Sequence, residues 1–107
     1  MSTASKAQIL ELADLVQYQE GSVVSRQITK ADAGNVTLFA FDSGQELSEH
    51  TAPFDALVHI LDGEAEVRIS GQPFQVHTGQ AIILPAGQPH ALKAMARFKM
   101  LLTMIRA

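Results

Sequence analysis

The feature that most constrains this chain is a hydrophobic pattern of period two, broken by a turn signal about every six to ten residues. Strand-like runs are VVSRQI, NVTLFAFD, FDALVHIL, EAEVRIS, PFQVH, QAIIL, HALKAMA and FKMLLTMI. Between them stand KADAGN, DSGQE, LDGE, SGQP, HTGQ and PAGQP, each with glycine, proline or both. Many short alternating strands at this spacing predict an all-β sandwich or barrel. Asp62-Gly63 lies between two alternating runs and predicts a tight hairpin, because a type I′ turn needs positive φ. AQILELADLV, residues 7–16, is ambiguous. Ile9, Leu12, Ala13 and Val16 fit a helical stripe, yet the same stretch also reads as an irregular edge segment. Residues 1–6 are expected to form a loose tail.

Alternation assigns faces. Ala65, Val67 and Ile69 point inward, as do Phe54, Ala56, Val58 and Ile60. The opposite face of the FDALVHIL run carries Leu57, His59 and Leu61, too apolar for open solvent. It calls for a cover, either a second subunit or the chain's own N-terminal segment; a homodimer through this sheet is the expected assembly.

With 107 residues the chain forms a single domain, 1–107, with one core. It is 47% hydrophobic and 18% charged, which argues against disorder. A formal charge of −3 provides no basic footprint for nucleic acid or an anionic membrane. No apolar run reaches the length of a membrane span. Glu11 and Asp14 interrupt the N-terminal stretch where a secretory signal would need an apolar run. The absence of cysteine excludes a disulfide framework, a thiolate nucleophile and Cys-ligated zinc. The cytoplasm is the default location. No phosphate-binding glycine loop, GxSxG elbow or HExxH helix occurs.

Two motifs carry more. Gly79, Pro85, Gly87 and His90 stand at the spacing glycine, five residues, proline, one residue, glycine, two residues, histidine. Upstream, Gly44, His50 and Gly63 hold a second frame. Together these stretches resemble the paired motifs of the cupin family and span residues 44–94. The resemblance implies a small double-stranded β-helix, or jelly-roll barrel. It also implies a metal at the barrel mouth, held by two histidines and a glutamate of the first motif and the histidine of the second. Carried over by position, the first histidine is His50 and the last is His90. The second histidine falls on Ala52, the glutamate on Ala56, and the asparagine that often closes the second motif on Ala94.

Two imidazoles do not make a three-ligand zinc site, and a facial iron triad still requires a carboxylate. Asp55 and Glu49 have the wrong strand parity; Glu46 is in phase with His50 but roughly 13 Å away along a strand. His50 and His90 therefore remain candidate ligands for a divalent iron, manganese, nickel, copper or zinc ion whose shell water or a ligand completes. The other reading is a metal-poor pocket in which both imidazoles meet a small polar or anionic molecule. Phe54, Ile60 and Leu92 are in phase with that pocket, and Met100 and Phe41 are further wall candidates. Met95, Met100 and Met104 read as adaptable core filling, with soft-metal ligation as the alternative. His59 and His77 read as surface or interface histidines.

The expected function is small-molecule binding with His50 and His90 as polar anchors. Its rivals are a metal-dependent oxygenase, isomerase or hydrolase with a histidine-only shell, and an interaction module with an inert interior.

Overall fold

In the computed structural model, which describes residues 5–106, the chain is a curled antiparallel β-barrel of the jelly-roll kind. Its strands are β1 (Val23–Ala31), β2 (Gly34–Phe41), β3 (Glu46–His50), β4 (Phe54–Ile69), β5 (Gln72–His77), β6 (Ala81–Leu84), β7 (His90–Lys93) and β8 (Phe98–Arg106). They run in the order β1-β2-β8-β4-β7-β3, with β5 and β6 also paired to β4. The loose tail expected at 1–6 lies outside the described residues over 1–4. Among the described residues no helix is long and apolar enough to cross a membrane.

The hairpin expected at Asp62-Gly63 does not form. FDALVHIL and EAEVRIS are one continuous strand, β4, whose first half pairs with β6 and β8 and whose second half pairs with β5 and β7. A bulge between Ile60 and Asp62 moves the strand from one sheet to the other. It also explains why the inward set changes from even numbers (Ala56, Val58, Ile60) to odd ones (Ala65, Val67). Gly63 has φ +79°, so its turn signal is real, but it serves a bulge. A Cβ there would also collide with the carbonyl of Arg97. The tight two-residue turn sits instead at Ser70-Gly71, between Ile69 and Gln72, with φ of 50° and 82° as a type I′ turn demands.

Inward residues of both sheets build the main core. Phe41, Val58, Ile60, Val67, Phe98 and Met100 are fully buried, with Phe41 and Phe98 stacked at 4.5 Å. Each such side chain contributes about 1.5–3 kcal/mol of burial.

A second cluster lies outside the barrel. Leu38 and Ala40 on β2 are fully buried there, beneath Leu10, Leu12, Leu15, Val16 and Tyr18. The N-terminal segment is thus mostly irregular, with one 3₁₀ turn at Leu12–Asp14. It lacks a long helix because it lies flat against a sheet, fixed by polar anchors. The Lys99 ammonium donates to the Ala13 carbonyl at 2.6 Å and lies over the Tyr18 ring, and Tyr18 donates to Asp62 at 2.6 Å. This segment reaches Leu61 but leaves Leu57 38% exposed.

Candidate functional site

β3 and β7 are short neighbouring strands, and their ladder pairs His50 directly with His90. A bulge between Leu47 and His50 gives both residues the same inward aim despite their odd separation. Downstream, the motif-two turn is held on both sides. The Ser70 amide donates to the Pro89 carbonyl at 2.8 Å, and the Gly87 amide donates to the Ala52 carbonyl at 2.9 Å. These bonds fix the approach to His90 from the strand it must face.

The two rings meet edge to face, their centroids 4.4 Å apart at 67°. Each is oriented by its own strand. His50 Nδ1 lies 2.8 Å from the Ser48 carbonyl, and His90 Nδ1 lies 3.3 Å from the Gln88 carbonyl. A carbonyl only accepts, so in the neutral form of either ring Nδ1 carries the proton and Nε2 keeps its lone pair. His90 is 7% exposed. Burial, and then the neighbouring His50 imidazole, push its pKa below the usual histidine value. His90 is therefore neutral at physiological pH.

Behind the pair lies a chamber of ≈ 50 Å³. Its walls are Leu47, Ala52, Ala56, Leu84, Leu92, Met100, Leu102 and Met104, almost wholly apolar. Of the residues expected at the pocket, His50, His90, Leu92 and Met100 share it. Phe54 and Ile60 do not, and Phe41 belongs to the core stack. Strand phase fixes which way a side chain points, not how far along the strand it sits. Ile60 pairs with Met100 and is sealed in the core, whereas Phe54 begins β4 beneath the Arg106 guanidinium. Sequence reasoning missed Leu47, Leu84 and Leu102 as walls. The bulge hid Leu47, while ordinary alternation on β6 and β8 carried a signal for the other two.

The carboxylates stay away. The bulge removes Glu46 from the phase expected of it: it pairs with Lys93 and lines an outer groove with Glu49, Glu66 and Arg68. Asp55 faces outward and accepts the Ala86 amide at 2.9 Å. His77 meets Glu64 at 2.7 Å on the surface, and His59 lies on the outer face beside Leu101 and Ala81. Among the described residues no group of three or more His, Asp or Glu side chains is placed to hold a metal. The family's divalent ion, which the motifs imply with three imidazoles and a carboxylate, does not fit this donor set. Methyl groups occupy two of its four positions, and no carboxylate reaches the chamber.

Fold and motif spacing together define a cupin. The cupin domain family matches residues 37–105, and the chain belongs to that family. Among solved structures it resembles a Streptococcus pyogenes protein of unknown function, with 37% identity, 100% of this chain and 96% of that one covered, and a TM-score of 0.91. A cupin 2 conserved barrel domain protein from Leptotrichia buccalis is 41% identical over 90% of this chain, with a TM-score of 0.87; the match spans 47% of that longer chain. A predicted oxalate decarboxylase from Thermotoga maritima shares the fold at 15% identity, with 81% of this chain and 83% of that one covered and a TM-score of 0.76. No curated protein matches the sequence.

Proposed function

We propose that this cupin binds a small, compact ligand in the chamber behind His50 and His90, and acts as a homodimer in the cytoplasm. The observation that carries the reading is the pair of Nε2 lone pairs held beside an apolar cavity by backbone-anchored rings. Neutral imidazoles accept hydrogen bonds, so the favoured ligand presents a hydroxyl or amine donor on a small apolar body. A chamber of ≈ 50 Å³ admits only a few heavy atoms, well short of a drug-sized molecule. A thermal-shift screen of small alcohols, amines and hydroxy acids tests this. The expected result is a saturable rise in Tm that His90→Ala abolishes; a shift that survives this substitution rejects the site.

The competing reading is a metal-dependent enzyme on a histidine-only shell. It draws support from the same two lone pairs, and Ala52 and Ala56 weigh against it. Near-stoichiometric iron, manganese, nickel, copper or zinc in protein purified without chelator, lost in a His50→Ala, His90→Ala variant, would favour it. If neither ligands nor metals bind, the inert interaction module is left.

The dimer reading rests on the outer sheet face. Leu57 and Ile83 are cross-strand partners there, and Ile83 is 59% exposed. A second copy docking by a twofold axis would cover both.

A further inference from the structure

Two transverse rows of side chains cross the barrel wall beside the chamber, and both turn polar at the same edge. In one, Val58 on β4 stands opposite Leu102 on β8, then Thr37 on β2 and Gln27 on β1. In the other the succession is Ala56, Met104, Asn35 and Lys30. Directly opposed residues of antiparallel strands point to one face, so both rows share the face that Ala56, Leu102 and Met104 give to the chamber. Burial falls along the rows. Val58 and Ala56 are buried, Leu102, Met104, Thr37 and Asn35 are partly buried, and Lys30 is exposed. Outward from the chamber along this wall stand a hydroxyl, two amides and then an ammonium.

This polar shelf is arranged to donate. Thr37 Oγ1 donates to Asn35 Oδ1 at 3.2 Å, which engages the amide oxygen and leaves the amide N–H groups as donors. Among the described residues the Asn35 nitrogen and the Lys30 ammonium have no protein partner. Amide N–H groups beside an ammonium match an anionic acceptor. The formal charges at this corner favour the same sign. Lys30 and Arg106, whose Nε donates to the Asp32 carbonyl at 3.2 Å, stand against a single acid of the β1–β2 turn, Asp32. The chamber end asks for the opposite. Neutral His90 accepts through Nε2, and an ammonium donor there would shed its hydration with no carboxylate to compensate. A hydroxyl meets that end without such a cost.

We infer that the ligand is a short-chain ω-hydroxy carboxylate, with its hydroxyl in the chamber against His90 and its carboxylate on the shelf, held by Asn35 and Lys30. The inference rests on the reading of the chamber as a binding pocket and names the class of its ligand. Neighbouring strands lie about 4.8 Å apart, so the two steps from Met104 on β8 to Lys30 on β1 cover about 10 Å. A flexible lysine shortens that span, and a chain of about four to six carbons bridges it.

Isothermal titration calorimetry of the full chain at low ionic strength tests this. The probes are 4-hydroxybutyrate and 6-hydroxyhexanoate, with 1-butanol and methyl 4-hydroxybutyrate as uncharged controls. The better of the two acids should bind at least about tenfold more tightly than either control, and added salt should erode the difference. Asn35→Ala should weaken acid binding about tenfold and Lys30→Gln about two- to fivefold, with 1-butanol binding unchanged in both. Neither position belongs to the sealed core, so the urea midpoint should stay close to that of the wild type. His90→Ala should weaken acid and alcohol alike. Equal affinity for acid and alcohol, or an acid preference that survives in the Asn35→Ala, Lys30→Gln double variant, overturns the inference. If 1-butanol binds through His90 while the acids bind no better, the inference falls and the binding-pocket reading stands. If neither acids nor alcohol bind, both fall.

Discussion

His50 and His90 are cross-strand partners whose rings touch edge to face at 4.4 Å, and neither ring has a carboxylate partner in the chamber. In cupins that hold a hard ion, a negative side chain shares this space; here two imidazoles share it with methyl groups and thioethers. Burial and the neighbouring imidazole make His90 resist protonation.

That resistance has a pH signature. The pKa of His90 in the folded state lies below the ordinary value of 6.5, through burial first and the His50 imidazole second. Below pH 6.5 the unfolded chain takes up a proton that folded His90 does not. Stability contributed by neutral His90 is thus complete above that value and is lost as pH falls toward the folded pKa. Urea unfolding at steps from pH 8 to pH 5 should show the wild type losing stability more steeply than His90→Gln. Equal slopes would show that the ring is not buried as described.

Restoring the missing ligands should restore the family's metal. Ala52→His with Ala56→Glu returns the four-ligand pattern at positions that already line the chamber. Added side-chain volume should cost about 1–3 kcal/mol of stability. We expect near-stoichiometric Mn(II) or Zn(II) by elemental analysis in the double variant and recovery of Tm on metal addition. A variant that folds yet takes up no metal would show that His50 and His90 do not converge on a common point.

Gly63 is expected to be among the least replaceable glycines. Positive φ alone costs a non-glycine residue about 1–2 kcal/mol, and that is all Gly79→Ala should lose, since open space surrounds it. Gly63→Ala also drives a Cβ into the Arg97 carbonyl. Chemical denaturation should find it the more damaging by at least about 2 kcal/mol. Parity between the two variants would mean that the chain entering β8 yields at Arg97 without cost.

Tyr18 is the chain's single tyrosine, and there is no tryptophan, so ultraviolet absorbance reports on it alone. Burial, reinforced by the hydrogen bond it donates to Asp62, raises its pKa well above the ordinary 10.0. A spectrophotometric titration should show little phenolate at pH 10.5, and Asp62→Asn should bring the midpoint down. A midpoint near 10 in the wild type would mean that the N-terminal segment leaves the sheet.

Leu57→Glu with Ile83→Glu should convert a homodimer to monomers in sedimentation, because a twofold interface places each new charge against its own kind twice. A wild type that sediments as a monomer at micromolar concentration would sink the dimer.

Much of this was legible in the residues, and what was not shares a cause. Alternation gave seven of the eight strands and the inward identity of Val58, Val67 and Leu92. It missed β3, whose ELSEH sequence is mostly exposed and shows no apolar rhythm. Spacing placed His50 and His90 together because two motif frames hold both ends of the β3–β7 ladder. The errors cluster at bulges. Asp62-Gly63 read as a turn because positive φ serves either device, and Glu46 read as in phase because one extra residue before His50 cannot be seen in a period of two. The walls were misjudged at Phe54 and Ile60 because depth along a strand has no period at all.

The uninterrupted run of β4 through both sheets has a mechanical consequence. It is the warp to which the other threads are tied, and neither layer can peel off while it stays intact. Amide hydrogens of Val58, Ile60, Val67 and their neighbours should exchange with deuterium last and together, and the ladder that brings the two imidazoles together should fray well before them.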